Sequence, residues 1–131
     1  MRRATRTVLV FGTFDLLHPG HLFVLEQARR HGDRLVVSLA RDQFVRSWKG
    51  KQPLHPEGER SRRLMETGLA DEVRLSDPEP RSFALLAEVR PDLICLGHDQ
   101  QELGRALREW MRAHGTRIPL KRLRRLPVAI P

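Results

Sequence analysis

The sequence is poor in several residue types, and each shortage excludes certain classes of protein. Its 131 residues include one cysteine, no tyrosine and seven other aromatic residues. With the single thiol of Cys95 no disulfide can form within the chain, as is usual in a reducing compartment. No apolar run reaches the length of a membrane span, and the one after Arg6 is too short for a signal-peptide core. We therefore expect a cytoplasmic protein without a membrane partner, and a buried, apolar role for Cys95.

Lysine is also scarce, although the chain is basic. Lysine and arginine together number 24 against 16 acidic residues, for a net charge of +8, yet only three of the 24 are lysines. Two of these, Lys49 and Lys51, lie in one short segment, where a compact ammonium suits a phosphate that moves. A solvated loop that carries charge is the alternative. Basic charge alone gives only non-specific affinity, and no binding motif accompanies it, so we do not expect nucleic acid as a partner.

Short apolar runs alternate with segments of helical periodicity, and the length suits one domain over residues 1–131. The predicted strands are 8–11, 35–40, 72–75, 93–96 and 118–123, and the predicted helices are 19–32, 57–69, 83–89 and 101–114. In the second helix we expect Leu64, Met65 and Leu69 to face the core. Residues 41–56 show no periodicity and are predicted to form a long loop that is part of the site. This alternation predicts an α/β fold with a doubly wound parallel sheet.

The most informative segment follows the first strand and reads Gly12-Thr13-Phe14-Asp15-Leu16-Leu17-His18-Pro19-Gly20-His21. Pro19 suits the first turn of a helix, so both histidines lie at the start of that helix. Unpaired backbone N–H groups and the positive end of the helix dipole face the same point. The pattern predicts an anion site with two proton donors. The alternatives are two surface histidines, or metal ligands together with Asp15.

A second polar segment, Gly97-His98-Asp99-Gln100, follows the fourth predicted strand. Ligands of doubly wound sheets bind at the carboxyl ends of strands, where the strand order reverses. If the first and fourth strands are neighbours, this segment and the histidine segment line one crevice.

Together these segments resemble the cytidylyltransferase-like nucleotidyltransferases, whose sheet is Rossmann-like and whose helix begins with a His-x-Gly-His motif. Matches continue in order at Gly32-Asp33, Ala40-Arg41-Asp42, Lys49-Gly50-Lys51, Glu59-Arg60 and Asp71-Glu72-Val73. The resemblance implies catalytic roles for His18, His21 and Lys49. It implies nucleotide binding by Gly12, Thr13, Phe14, Asp15, Gly20, Lys51, Arg60, Gly97, His98 and Asp99. Without the resemblance, Arg60 reads as a solvated helix charge.

The run Leu96-Gly97-His98-Asp99-Gln100 is most similar to the corresponding stretch of archaeal-type FAD synthetases. That resemblance implies transfer of AMP from ATP to FMN, giving FAD and pyrophosphate, with Mg²⁺ or another divalent cation on the triphosphate. It also implies a homodimer. A cytidylyltransferase that uses CTP and a small phosphorylated alcohol such as glycerol 3-phosphate is the alternative enzyme. A non-catalytic nucleotide-binding protein is the alternative from another class.

One feature departs from the family pattern. The family usually has a segment rich in serine and threonine near its C-terminus, which binds the triphosphate, but here no serine or threonine follows Thr116. Arg122, Arg124 and Arg125 are candidates to bind phosphate in its place.

Overall fold

The computed structural model describes residues 5–79 and 81–127, and it shows one sheet of five parallel strands flanked by helices. The strands are β1 (Thr7–Gly12), β2 (Arg34–Leu39), β3 (Glu72–Leu75), β4 (Leu93–Leu96) and β5 (Leu120–Arg122). The helices are α1 (Pro19–Arg29), α2 (Asp42–Lys49), α3 (Glu57–Glu66), α4 (Leu85–Val89) and α5 (Gln101–His114). The predicted α/β class is confirmed, and β3, β4 and α5 have the bounds expected from the sequence.

The strand order β3-β2-β1-β4-β5 places β1 at the centre of the sheet. The chain builds outward from β1 to β3, crosses back, and adds β4 on the other side of β1. The strand order therefore reverses between β1 and β4, where a crevice opens beyond the carboxyl ends of the strands. The expected pairing of the first and fourth strands is confirmed by the register of Leu9 with Ile94.

Both faces of the sheet are buried, which explains why the strands read as continuous apolar runs. Val8 and Val10 pack on one face with Leu25 of α1 and Leu64 of α3. Leu9 packs on the other face, in a cluster completed by α4 and α5. Because side chains alternate along a strand, the end of β1 presents groups to both faces.

At the amino-terminal ends of the strands, aspartates placed one residue before a strand hydrogen-bond to the backbone of a neighbouring strand or of the segment that leads into it. The carboxylates of Asp33, Asp71 and Asp92 accept hydrogen bonds from the backbone N–H groups of Arg6, Leu35 and Thr7, at 2.8, 2.8 and 2.7 Å. The hydrogen bond from Leu35, helped by the Arg29 guanidinium and opposed by partial burial, lowers the pKa of Asp71 below its ordinary value.

Two expectations about the chain between β2 and β3 are wrong. Residues 42–49 form α2 rather than loop, because Phe44 and Val45 bury one side of a short helix that Gly50 ends in the left-handed conformation. The apolar spacing over one helical turn, followed by glycine, was the available signal. Met65 does not face the core as expected, since 45% of the residue is exposed. Within the described ranges, no helix is long and apolar enough to cross a membrane.

Gly115 ends α5 with φ of +63°, and nothing lies within 4 Å of an added Cβ. We expect Gly115→Ala to lower the free energy of unfolding by about 1 kcal/mol, because alanine is strained in this conformation. Gly58→Ala makes the same chemical change inside α3, also without a clash. It should raise the stability by roughly 0.5 kcal/mol, since it restricts the unfolded chain. Urea denaturation of both variants tests this, and equal effects would contradict the assigned backbone conformation.

Candidate active site

A cleft of about 350 Å³ lies over the carboxyl end of β1, where the two polar segments meet. Its walls include eight of the residues predicted from the sequence: Gly12, Thr13, Phe14, Asp15, His18, His21, Gly97 and Asp99. They converge because β1 and β4 are paired and therefore end at the same edge of the sheet. The cleft thus joins a helix N-terminus, two imidazoles and the loop after β4.

His18 is the N-cap of α1 through its own ring. Its Nδ1 atom accepts hydrogen bonds from the backbone N–H groups of Gly20 at 3.1 Å and His21 at 3.4 Å. These N–H groups were expected to be unpaired, so the structure corrects that expectation: the imidazole already occupies them. An Nδ1 atom that accepts leaves Nε2–H as the donor of the ring. The N–H groups at the start of α1 are thus bound by His18, and the Nε2–H group of the ring becomes the hydrogen-bond donor in their place.

The two histidine rings lie against each other, with centroids 3.6 Å apart and planes 21° from parallel. The ring of Phe14 packs edge-to-face against the ring of His21, with the two centroids 5.4 Å apart, and so restrains the His21 ring. A Cβ atom on Gly20 would lie 2.9 Å from Cε1 of His18, so any larger residue there would push the ring away. A glycine between the two histidines is thus needed for their rings to stack in this arrangement.

The turn between β1 and α1 is strained, since Phe14 and Leu16 have φ of 49° and 50°. Such angles are rare outside glycine and persist only where surrounding contacts enforce them. Asp15 supplies one contact by accepting hydrogen bonds from the backbone N–H groups of Leu54 at 2.7 Å and His55 at 3.0 Å. Burial alone would raise the pKa of Asp15, but these two hydrogen bonds and the nearby Arg60 charge bring it below its ordinary value.

Arg60 supplies the second contact, from behind the cleft. Its side chain has no exposed surface, so the reading as a solvated charge is wrong. The guanidinium donates to the carbonyl oxygens of Thr13 at 2.9 Å and His55 at 3.0 Å, and to Asp42 at 2.6 Å. With Nε, Nη1 and Nη2 all engaged, Arg60 holds the turn in place; direct contact with nucleotide stays a prediction from the family resemblance.

Asp42 and Glu57 link the helices that follow. The Asp42 N–H donates to the Glu57 carboxylate at 2.8 Å, and the Glu57 N–H donates to the Asp42 carboxylate at 3.1 Å. Each side chain therefore caps the start of the other's helix, which places a negative charge at both positive helix ends. Sequence reasoning missed this pair because the partners are 15 residues apart and Asp42 lay in a segment that was predicted to be loop.

Gln100 was expected in the crevice as part of the second polar segment, but no role was assigned to it from the sequence. Its amide donates to the carbonyl oxygen of Phe11 at 3.0 Å and accepts from the N–H of Gly97 at 2.8 Å. It thereby bridges the ends of β1 and β4 and lines the cleft. The signal was present, since Gln100 closes the second polar segment.

Lys51, His98 and Gly20 are not among the residues that line the cleft. Lys51 and His98 are exposed, and Gly20 lies beneath the His18 ring. Lys49 belongs to the last turn of α2, but its side chain lies outside what the structure describes. Cys95 does line the cleft, and burial raises the pKa of its thiol to about 11, so it stays protonated as an apolar wall. Among residues 5–79 and 81–127, no three acidic, histidine or cysteine side chains cluster as metal ligands.

A family model described as cytidylyltransferase-like matches residues 9–118. The chain belongs to this family, as the parallel sheet and the histidine pair over β1 would lead one to expect.

Two of the relatives are FAD synthases from archaea. The FAD synthase of Methanococcoides burtonii is 48% identical over 93 residues, which are 71% of this chain and 63% of that protein. The chain thus matches less than two thirds of the length of that relative. The FAD synthase of Thermococcus onnurineus is 39% identical over 108 residues, 82% of this chain and 72% of that protein. A crystal structure of a lipopolysaccharide core biosynthesis protein from Thermoplasma volcanium superimposes with a TM-score of 0.86 at 31% identity, covering 95% of this chain and all of that one.

The buried position of Arg60 generates a stability prediction. Arg60→Ala should lower the free energy of unfolding by about 3 kcal/mol, because it leaves a partly buried carboxylate and two carbonyl groups without their donor. Arg62→Ala, two residues on in the same helix, removes an exposed guanidinium that pairs with Glu59 and Glu66 and should change stability little. Chemical denaturation of the two variants is the measurement. Equal losses would show that Arg60 does not hold the turn.

Proposed function

We propose that this protein is a nucleotidyltransferase that transfers AMP from ATP to FMN, forming FAD and releasing pyrophosphate. The observation that carries the proposal is the meeting of the stacked histidines with the Gly97–Gln100 loop in one cleft. Relatives named FAD synthase that match most of this chain supply the substrates. A release assay for pyrophosphate that pairs ATP or CTP with FMN or glycerol 3-phosphate tests it. Turnover only with CTP and the polyol phosphate would overturn it.

In this reaction a phosphate oxygen of FMN attacks the α-phosphorus of ATP. One P–O bond forms there, and the bond from the α-phosphorus to the bridging oxygen breaks, so pyrophosphate leaves with the electron pair. Such transfers depend on positioning and on stabilising charge, and they need no nucleophile from the protein. We assign the donors that meet the developing charge to His18 and His21, because both line the cleft at the start of α1.

The other predicted residues take supporting roles in this proposal. Gly97 and Asp99 border the cleft on the β4 side and are assigned to the nucleoside. Lys49 and Lys51 are assigned to the reacting phosphates, and Arg60 is assigned to hold the turn of residues 12–15. A divalent cation such as Mg²⁺ would arrive with the triphosphate as part of the substrate, bound by phosphate oxygens and water.

The double role of His18 allows capping and catalysis to be separated. We expect His18→Asn to keep the cap, since asparagine is a strong N-cap residue, so its stability should stay within about 0.5 kcal/mol of the wild type. The same variant lacks the distal Nε2–H, so kcat/KM should fall about 100-fold. His18→Ala should lose activity and also about 1 kcal/mol of stability. His21→Ala should lose activity to a similar extent. If His18→Asn kept the wild-type kcat/KM, His18 would act only as the N-cap of α1 and not in catalysis.

Lys49 is expected to act on the transition state more than on binding. Lys49→Ala should lower kcat by more than it raises the KM for ATP, because the ammonium meets charge that develops during the transfer. Lys49→Arg should have a rate between those of Lys49→Ala and the wild type, since a planar guanidinium replaces a compact ammonium group. Lys121→Ala, on β5, is the matched control and should leave both constants unchanged. A raised KM with unchanged kcat in Lys49→Ala would make Lys49 a binding residue only. The steady-state kinetics of these three variants give the answer.

A further inference from the structure

A second cavity, of about 420 Å³, opens on the other side of β1. It shares Phe11, Gly12, Thr13 and Gln100 with the cleft described above, so the two spaces meet at the end of β1. The cleft lies on the face of α1, whereas this cavity lies on the face of α4 and α5. A molecule that extends over the end of β1 could therefore occupy both.

The walls of this second cavity are largely apolar and aromatic. Phe11, Phe44 and Phe83 contribute their rings, and Leu85 and Leu103 contribute aliphatic surface. Phe11 and Phe83 are fixed edge-to-face, with centroids 6.1 Å apart. Walls of this kind fit a flat, apolar body such as a fused ring system, and the volume lies in the range of small-molecule sites.

The lining also contains the charged residues Asp77, Glu79 and Arg81 and the hydroxyl groups of Ser38 and Ser76. The Oγ atoms of Ser38 and Ser76 are buried, and neither has a hydrogen-bond partner among the residues that the structure describes. The Ser38 side chain is almost fully buried, with 1% of the residue exposed. Both serines line the cavity, and they lie on one face, because Ser38 pairs with Arg74 and Ser76 is two residues further along that strand's direction.

Buried hydroxyl groups without partners are rare in native proteins, because each loses its hydrogen bonds to water. A ligand with polar atoms at matching positions would supply the missing hydrogen-bond partners. The cavity therefore fits a molecule that is flat and apolar over most of its surface and carries hydrogen-bond acceptors or donors along one edge. A small polyol phosphate has no apolar surface to cover the phenylalanines.

We propose that this cavity binds the isoalloxazine ring of the flavin acceptor, with Ser38 and Ser76 hydrogen-bonded to the polar edge of the ring. The inference rests on the proposed function, which makes FMN the acceptor. The ribityl chain then crosses the end of β1 at Gly12 and Thr13, and the phosphate enters the cleft beside His18. ATP lies entirely within the cleft, where the FMN phosphate reaches its α-phosphorus.

The kinetic test uses Ser38→Ala and Ser76→Ala in the full chain. Each variant should raise the KM for FMN about 3- to 10-fold, as expected for one lost hydrogen bond. The KM for ATP and kcat should change less than twofold. Ser61→Ala, on α3 and outside both cavities, makes the same change and should leave all constants as in the wild type. A raised KM for ATP instead of FMN would place the adenine here and overturn the inference, as would unchanged KM for FMN in both variants.

Binding of riboflavin separates this inference from the proposed function. Riboflavin has no phosphate and cannot react, so quenching of its fluorescence by the protein reports the ring site alone. We expect both serine variants to weaken this binding 3- to 10-fold and His18→Asn to leave it unchanged. If the protein forms no FAD but riboflavin binds with this dependence, the proposed function fails and the cavity assignment stands. If FAD forms but riboflavin does not bind, or binds equally to the serine variants, the cavity assignment fails. Melting curves of each variant exclude loss of fold as the cause.

Discussion

The buried guanidinium of Arg60 is the constraint on which the rest of the site depends. It joins the Thr13 carbonyl, the His55 carbonyl and the Asp42 carboxylate, and so connects the turn after β1 to the chain around α2 and α3. That turn contains two residues with left-handed backbone angles, which would relax without outside support. A buried charge with fixed partners has few alternative arrangements, so it also specifies where the start of α1 lies relative to the sheet.

The histidine pair shows how a helix N-terminus can be extended by a side chain. In the simplest anion site the backbone N–H groups of the first turn contact the anion themselves. Here the imidazole of His18 accepts two of those groups through Nδ1 and offers Nε2–H on its far side. Stacking against His21 sets the ring plane, and the missing side chain of Gly20 leaves room for it. The donor position is therefore fixed by packing, hydrogen bonding and tautomer together.

The central position of β1 explains why two cavities share one wall. A strand buried on both faces sends alternate side chains to opposite layers, so its last residues border a space on each side. The α1 face carries the polar groups of the cleft, and the α4 and α5 face carries the phenylalanines and the buried serines. The end of one strand thus separates a cleft that contains the two histidines from a cavity that contains three phenylalanines, an arrangement that fits the proposed transfer from ATP to FMN.

The sequence by itself determined the presence of the strands, their parallel orientation and the segments that form the cleft, because apolar runs, helix periodicity and the glycine- and histidine-rich motif are local signals. β4 and α5 matched the expected residues for this reason. Only the tertiary structure decided that Arg60 is buried, that Asp42 and Glu57 cap each other's helices, and that Ser38 and Ser76 line one cavity with Phe83. These contacts join residues distant in the chain, and nothing in the local pattern around a serine or an arginine records which distant group it will face.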